Sequence, residues 1–184
     1  MAEVDFEAAL RWARKFRGKT LARRPVTALP RLLDQPDGIV YLLDTCVYID
    51  SFHDSFSPEV ERVIDHVPLS HSACALQELF LAVGQLDPDD RRTKQSIANI
   101  GTLVGSILPQ RLFNPDIDTV IRAGLLAGTL ARIQGYGREH RFRAVNDCTL
   151  FLQSRKLGMT LLTRNYADFD ILTQMIPTGR VAFY

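Results

Sequence analysis

The chain has 184 residues, 46% of them hydrophobic and 23% charged, with 11 glycines and 9 prolines; this suits one well-buried domain and excludes two comfortable cores or a low-complexity, fibrous or disordered chain. Lys and Arg number 22 against 21 Asp and Glu, a net charge of +1, which excludes a uniformly basic nucleic-acid binder and makes any polyanion site a local one.

In chain order, segment 3–17 repeats apolar residues at Phe6, Leu10, Ala13 and Phe16 with arginines between them, the spacing of an amphipathic helix. The prolines of RRPVTALPRLLDQPDG then mark a linker. IVYLLDTCVYID opens on a continuous apolar run, which places a first buried strand at about 39–43. SHSACALQELFLAVG reads as a short helix with Ser70 and Ser72 as caps and Gly84 as its stop. Asp87-Pro88 predicts the start of another helix, running to about Val104. Asp116 or its neighbour starts the next, whose inner face is expected at Ile117, Val120, Ile121, Gly124, Leu125, Gly128 and Ala131. QGYGREHRFR reads as a loop, followed by a helix over VNDCTLFLQSRKLG with Val145, Thr149, Leu152 and Leu157 in rough helical order. MTLLTRN has the content of a buried strand, YADFDILTQM of a short helix and GRVAFY of a closing strand. Strands alternating with helices, without an internal repeat, predict an α/β domain with a mainly parallel sheet.

No apolar run approaches the roughly 18–20 residues that cross a bilayer, and MAEVDFEAALRWARKF carries acids and arginines where a secretion signal is apolar. A cytoplasmic protein is expected. Cys46, Cys74 and Cys148 are odd in number and form no CxxC pair, which predicts reduced, mostly buried thiols. Charge is unevenly spread. Residues 1–31 hold eight basic side chains against Glu3, Asp5 and Glu7, and residues 132–143 hold four arginines against Glu139. Two basic segments therefore flank an acidic body, as expected if a polyphosphate is held beside carboxylates; solvated surface is the alternative.

Four acids stand at element junctions: Asp44 at the end of the first strand, Glu78 in the short helix, Asp147 at the opening of the helix after the basic loop, and Asp168 after the strand Leu161-Leu162-Thr163. Ligands of open parallel sheets bind beyond the carboxyl ends of strands, so Asp44 and the TRNYADF segment are expected to face one site. Single acids of this kind are often helix caps or solvated. Against that, Glu78 lies among Leu76, Leu79 and Phe80, and Asp44 between Leu43 and Cys46, where a purposeless charge costs several kcal/mol. Gathered carboxylates repel and hold protons unless a divalent cation neutralises them, and all-oxygen ligands point to Mg²⁺ or Mn²⁺ over zinc.

LLDTCVYID at 42–50, ACALQELFLAVG with Glu78, VNDCTLFLQSRKLG with Asp147 and TLLTRNYADF ending at Asp168 together resemble the PIN-domain nucleases, and within them the bacterial VapC-type toxin ribonucleases. The resemblance covers about 39–184. It implies a PIN-like three-layer α/β/α fold over 38–184, with 1–37 as an N-terminal helical arm and linker; such toxins begin close to their first strand, so 1–37 is left as a dimer arm, an RNA contact or a cover for the site. It further implies a metal-dependent endoribonuclease in which Asp44, Glu78, Asp147 and Asp168 hold Mg²⁺ or Mn²⁺. Thr45, Asn146, Thr163 and Asn165 match its supporting polar positions. A homodimer and a silencing antitoxin partner are implied as well. On this reading water attacks the RNA phosphodiester, leaving a 5′-phosphate and a 3′-hydroxyl, while Arg138, Arg141, Arg143 and Arg164 hold the RNA backbone. The alternatives are a catalytically silent PIN-like module that binds RNA or protein, and a phosphatase with an aspartate nucleophile, for which position 46 lacks the second aspartate.

Overall fold

A computed structural model describes residues 6–17 and 20–184 of the chain. Five strands, β1 (Tyr41–Leu43), β2 (Leu69–Ser72), β3 (Leu112–Phe113), β4 (Thr160–Thr163) and β5 (Val181–Phe183), form an all-parallel sheet in the order β3-β2-β1-β4-β5. Every residue of β1, β4 and β5 is buried, as a parallel sheet covered on both faces requires. The covering helices are α1 (Phe6–Arg14), α2 (Thr45–Phe52), α3 (Pro58–His66), α4 (Ala73–Gly84), α5 (Arg91–Ser106), α6 (Ile117–Gln134), α7 (Arg138–Leu157) and α8 (Tyr166–Met175).

Helix α7 is central, packed against α4, α6, α8 and β4. Its buried residues Ala144, Asp147, Cys148, Thr149, Leu150, Phe151, Gln153 and Ser154 occupy more than one face; of the positions expected from the sequence, Thr149 is buried and Leu152 partly so, while Val145 and Leu157 are exposed. The expected face of α6 points outward over its first turns and inward only at its end, where Ala131 is buried. Ile117, Val120 and Ile121 face outward while Ala123, Leu126, Ala127 and Leu130 are buried, and nothing lies near a Cβ built on Gly124 or Gly128. Small alanines bring α6 close to its neighbour. Gly135, at φ +68°, ends α6 in the left-handed conformation that an L side chain resists.

Four local expectations are corrected. The basic stretch is no loop beyond Gly137, because Arg138–Leu157 is one continuous helix and Asp147 lies in its middle; its first turns are solvated and carry no apolar stripe. Helix α5 begins at Arg91, capped by Asp90, which accepts from the Arg92 amide at 2.9 Å, whereas Asp87 closes the preceding turn onto Asp89. Ser70 belongs to β2 and only Ser72 caps α4, accepting from the Cys74 amide. In α1 the inward residues are Ala9 and Ala13, with Phe16 just beyond, while Phe6 is exposed; residues 3–5 of that expectation, with Glu3 and Asp5, and Lys19 of the basic count lie outside the described residues.

The segment before β1 is part of this packing. Leu29 and Leu32 are buried, and the Phe183 amide donates to the carbonyl of Pro30 at 2.9 Å, so the segment runs beside β5. Among the described residues no helix is long and apolar enough to cross a membrane. All three cysteines are free, Cys74 and Cys148 buried and Cys46 partly so.

Candidate functional site

The site is set by two neighbouring strands. Leu43 of β1 pairs with Leu162 of β4, so Asp44, the first residue past β1, lies beside Thr163, the last residue of β4. The Asp44 amide donates to the Leu162 carbonyl at 3.1 Å and the Thr163 hydroxyl to Asp44 Oδ2 at 2.6 Å. Asp44 also caps α2, its Oδ1 accepting from the Thr45 amide at 2.7 Å, and its Oδ2 takes the Cys46 thiol at 3.1 Å. The cap reading of Asp44 is therefore true and incomplete: a cap does not need burial, and this side chain is almost wholly enclosed. Burial raises its pKa, the charge of Glu78 adds to that, and the bonds from Thr163, Cys46 and Thr45 oppose it.

The remaining acids arrive from three helices. Helix α4 leaves the end of β2, next to β1, and places Glu78 where its Oε2 accepts from the Thr45 hydroxyl at 2.9 Å. Asp147, buried on α7, accepts from the side-chain amide of Asn165 at 3.3 Å. The same amide donates to Asp168 Oδ2 at 3.2 Å, and Asn165 Oδ1 accepts from the Asp168 amide, capping α8. Asp147 is held well above the ordinary carboxylate range, first by burial, then by the charges of Asp44, Asp168 and Glu78. The buried thiol of Cys74 is pushed up to about 12 by burial and by the same carboxylates, Glu78, Asp147 and Asp44. Residues 34, 69 and 21 positions apart in sequence thus share one electrostatic environment.

Thr45, Thr163 and Asn165 stand among the acids as donors. Asn146 instead faces α4, its Oδ1 3.8 Å from Cys74 Sγ. Arg138, Arg141 and Arg143 are exposed on the first turns of α7. Arg164 is half-exposed, and its Nε is 2.9 Å from Oδ2 of the buried Asp50, which also accepts from the Tyr184 hydroxyl. The sequence reading assigned no role to Asp50 or Tyr184, and none to Tyr136, whose hydroxyl donates to Asp168 Oδ1. Tyr136 sits between two glycines, a signal of a sharp helix-to-helix turn and not of chemistry.

Four carboxylates without a lysine or histidine among them fit a hard divalent cation in the kind of donor they supply. Their spacing does not yet enclose one: among the described residues no three His, Cys, Asp or Glu side chains form a group able to hold a metal ion. The hydroxyls of Thr45 and Thr163 and the amide of Asn165 occupy oxygens that a cation would take.

No family model and no curated protein matches the chain. Its fold does match solved structures. It is similar to a chain of DNA-bound VapBC from Salmonella typhimurium (18% identity, TM-score 0.55, 79% of this chain and 98% of that one). It is similar also to a chain of VapBC-1 from nontypeable Haemophilus influenzae (23%, 0.54, 79% and 98%), and to one of VapBC-5, a member of the VapBC family of toxin-antitoxin systems, from Mycobacterium tuberculosis (15%, 0.51, 79% and 98%). At these identities the likeness is one of fold, and the fold is the PIN-like one that the sequence motifs imply. Each match leaves about a fifth of this chain uncovered while spanning nearly all of its counterpart.

Proposed function

We propose that this PIN-like chain is a divalent-metal-dependent endoribonuclease, acting as the toxin of a toxin-antitoxin pair, and that Asp44, Glu78, Asp147 and Asp168 are its metal-holding acids. The observation that carries the reading is the shared environment of the four acids at the ends of β1 and β4, with buried Asp147 feeling the charge of the other three. Such repulsion has a purpose where a cation relieves it. The four acids would hold Mg²⁺ or Mn²⁺, which when bound supplies a nucleophilic water at neutral pH and offsets phosphodiester charge.

The chain's own groups orient and hold. Thr163 fixes Asp44, Thr45 fixes Glu78, and Asn165 ties Asp147 to Asp168, so each acid is aimed by a donor from a neighbouring element. Arg138, Arg141, Arg143 and the exposed part of Arg164 carry the RNA backbone on this reading. The outward stripe Ile117, Val120 and Ile121 of α6 is a surface for a second copy. The antitoxin partner is supported by the VapBC descriptions alone.

A second reading is a catalytically silent module that binds RNA or protein, favoured by the open spacing of the acids. Incubation with mixed RNA separates the two. Product that forms with Mn²⁺, disappears with EDTA and is lost in Asp44→Asn supports the nuclease; binding without product supports the module.

A further inference from the structure

The segment before β1 reaches the rim of the acidic site. Four successive residues are tied down: the carbonyls of Leu21 and Ala22 accept from the side-chain amides of Gln134 and Gln174, Arg23 Nε donates to the Ala167 carbonyl at 3.2 Å, and Arg24 pairs with Asp170. This fixes the exposed Arg23 side chain over a cavity of about 470 Å³, which Arg143, His140, Tyr136, Asn165 and Asp168 also line. The volume is that of a ligand pocket.

Two guanidiniums, Arg23 and Arg143, face this cavity with two carboxylates, Asp168 and Glu139, but they are not paired with them. Asp168, the carboxylate at its inner side, already accepts from Tyr136 and from Asn165. Among the described residues neither Arg23 nor Arg143 forms an ion pair. The other carboxylate, Glu139, is exposed and near Gly137. Gly137 caps α7 without a side chain, so the helix adds its amino-terminal field to the two guanidiniums. Arg23 spends its Nε on the Ala167 carbonyl and also meets Tyr136, yet neither guanidinium has a carboxylate partner, and two such groups lining one ligand-sized cavity with Asp168 match a phosphate.

We propose that Arg23, carried in by the segment before β1, and Arg143 of α7 form a phosphate subsite beside Asp168, which holds one backbone phosphate of the RNA. The identity of that ligand rests on the nuclease reading; the subsite itself does not. On this account residues 20–24 are a built part of substrate binding, and a PIN-like chain that lacked them would bind RNA with one contact fewer.

The test is anisotropy of a fluorescein-labelled 12-nucleotide single-stranded RNA on the full chain, in EDTA so that nothing is cut, over a KCl series. Arg23→Ala is expected to weaken binding about fivefold at 0.1 M salt and to lower the log–log salt slope by about 0.7, the value for one contact to a single strand. Arg143→Ala behaves alike, Arg23→Lys keeps the slope, and Arg31→Ala, on the same segment but outside the cavity, changes neither quantity. Equal affinity and slope for Arg23→Ala and wild type overturn the subsite, whether or not the protein cuts RNA. An Arg23-dependent slope in a protein that never cuts with Mn²⁺ removes the nuclease reading and keeps the subsite. If no RNA is bound, inorganic phosphate is titrated and followed by ³¹P line broadening: broadening lost in Arg23→Ala supports a site for free phosphate, and its absence in wild type overturns the proposal.

Discussion

Replacing Arg24 by alanine removes the guanidinium from a carboxylate that is 1% exposed. In the wild-type chain Asp170 Oδ1 takes Arg24 Nε at 2.6 Å, while Oδ2 takes the Arg24 amide at 2.7 Å and the Gln174 side chain at 3.1 Å. Breaking a buried pair costs about 3–5 kcal/mol when the remaining charge is left bare. Here two donors survive the substitution, and Arg24 is 41% exposed, so solvent already screens part of the interaction. The expected loss is about 2–3 kcal/mol, the range of a lost hydrogen bond to a charged group. For a chain of this size that lowers the thermal midpoint by about 4–12 °C, read by far-ultraviolet circular dichroism and checked by the urea midpoint. Residues 20–38 are then held by less, and trypsin should cut after Arg23 sooner than in wild type. A midpoint within 2 °C of wild type, with unchanged tryptic cleavage, would show that Asp170 does not depend on Arg24 and that the segment is anchored elsewhere.

Three further outcomes follow from other contacts. A Cβ on Gly179 would overlap the ring of the fully buried Phe151, so Gly179→Ala should cost about 1–3 kcal/mol by overpacking, measured as a lowered urea midpoint without a change in m. Asp147→Asn should abolish RNA cleavage yet raise the thermal midpoint in EDTA, since the fold disfavours the ionised side chain; a lowered midpoint would mean that the charge is stabilised by neighbours. The pH dependence has the matching sign. Asp147 and Asp44 hold protons more tightly folded than unfolded, so in EDTA stability should fall as pH rises above the ordinary carboxylate range, and less steeply in Asp147→Asn.

The two central strands were legible because YLL, within the run IVYLL, is uninterruptedly apolar and the Leu161-Leu162 pair sits between β-branched threonines, and the acids because they follow those strands or sit in apolar surroundings. β2 was not, since three of the four residues of LSHS are polar and only its serines are buried; β3 has two residues, too few for any period. Helix α3 went unread although Val60, Val63, Ile64 and Val67 stand at helical spacing and pack on the core, and α2 continues the apolar run of β1 behind Asp44. The outward face of α6 carries isoleucines and valine, so a period of 3.6 found the helix and chose the wrong side. The anchoring of Arg24 on Asp170 joins residues 146 apart, and Tyr136 meets Asp168 across 32. Neither has a local signature, because the contacts exist only once α6, α7 and α8 are assembled.

Four acids, Asp44 just past β1 and Glu78, Asp147 and Asp168 from α4, α7 and α8, are proposed to close on one divalent site. Crystals soaked in Mn²⁺ and measured for anomalous scattering test it without reference to any RNA. A manganese peak is expected within ligand distance of oxygens from Asp44, Asp147 and at least one of Glu78 and Asp168, and no such peak in Asp147→Asn. Full soaking with no peak among these side chains, or a peak retained unchanged in that variant, would contradict it.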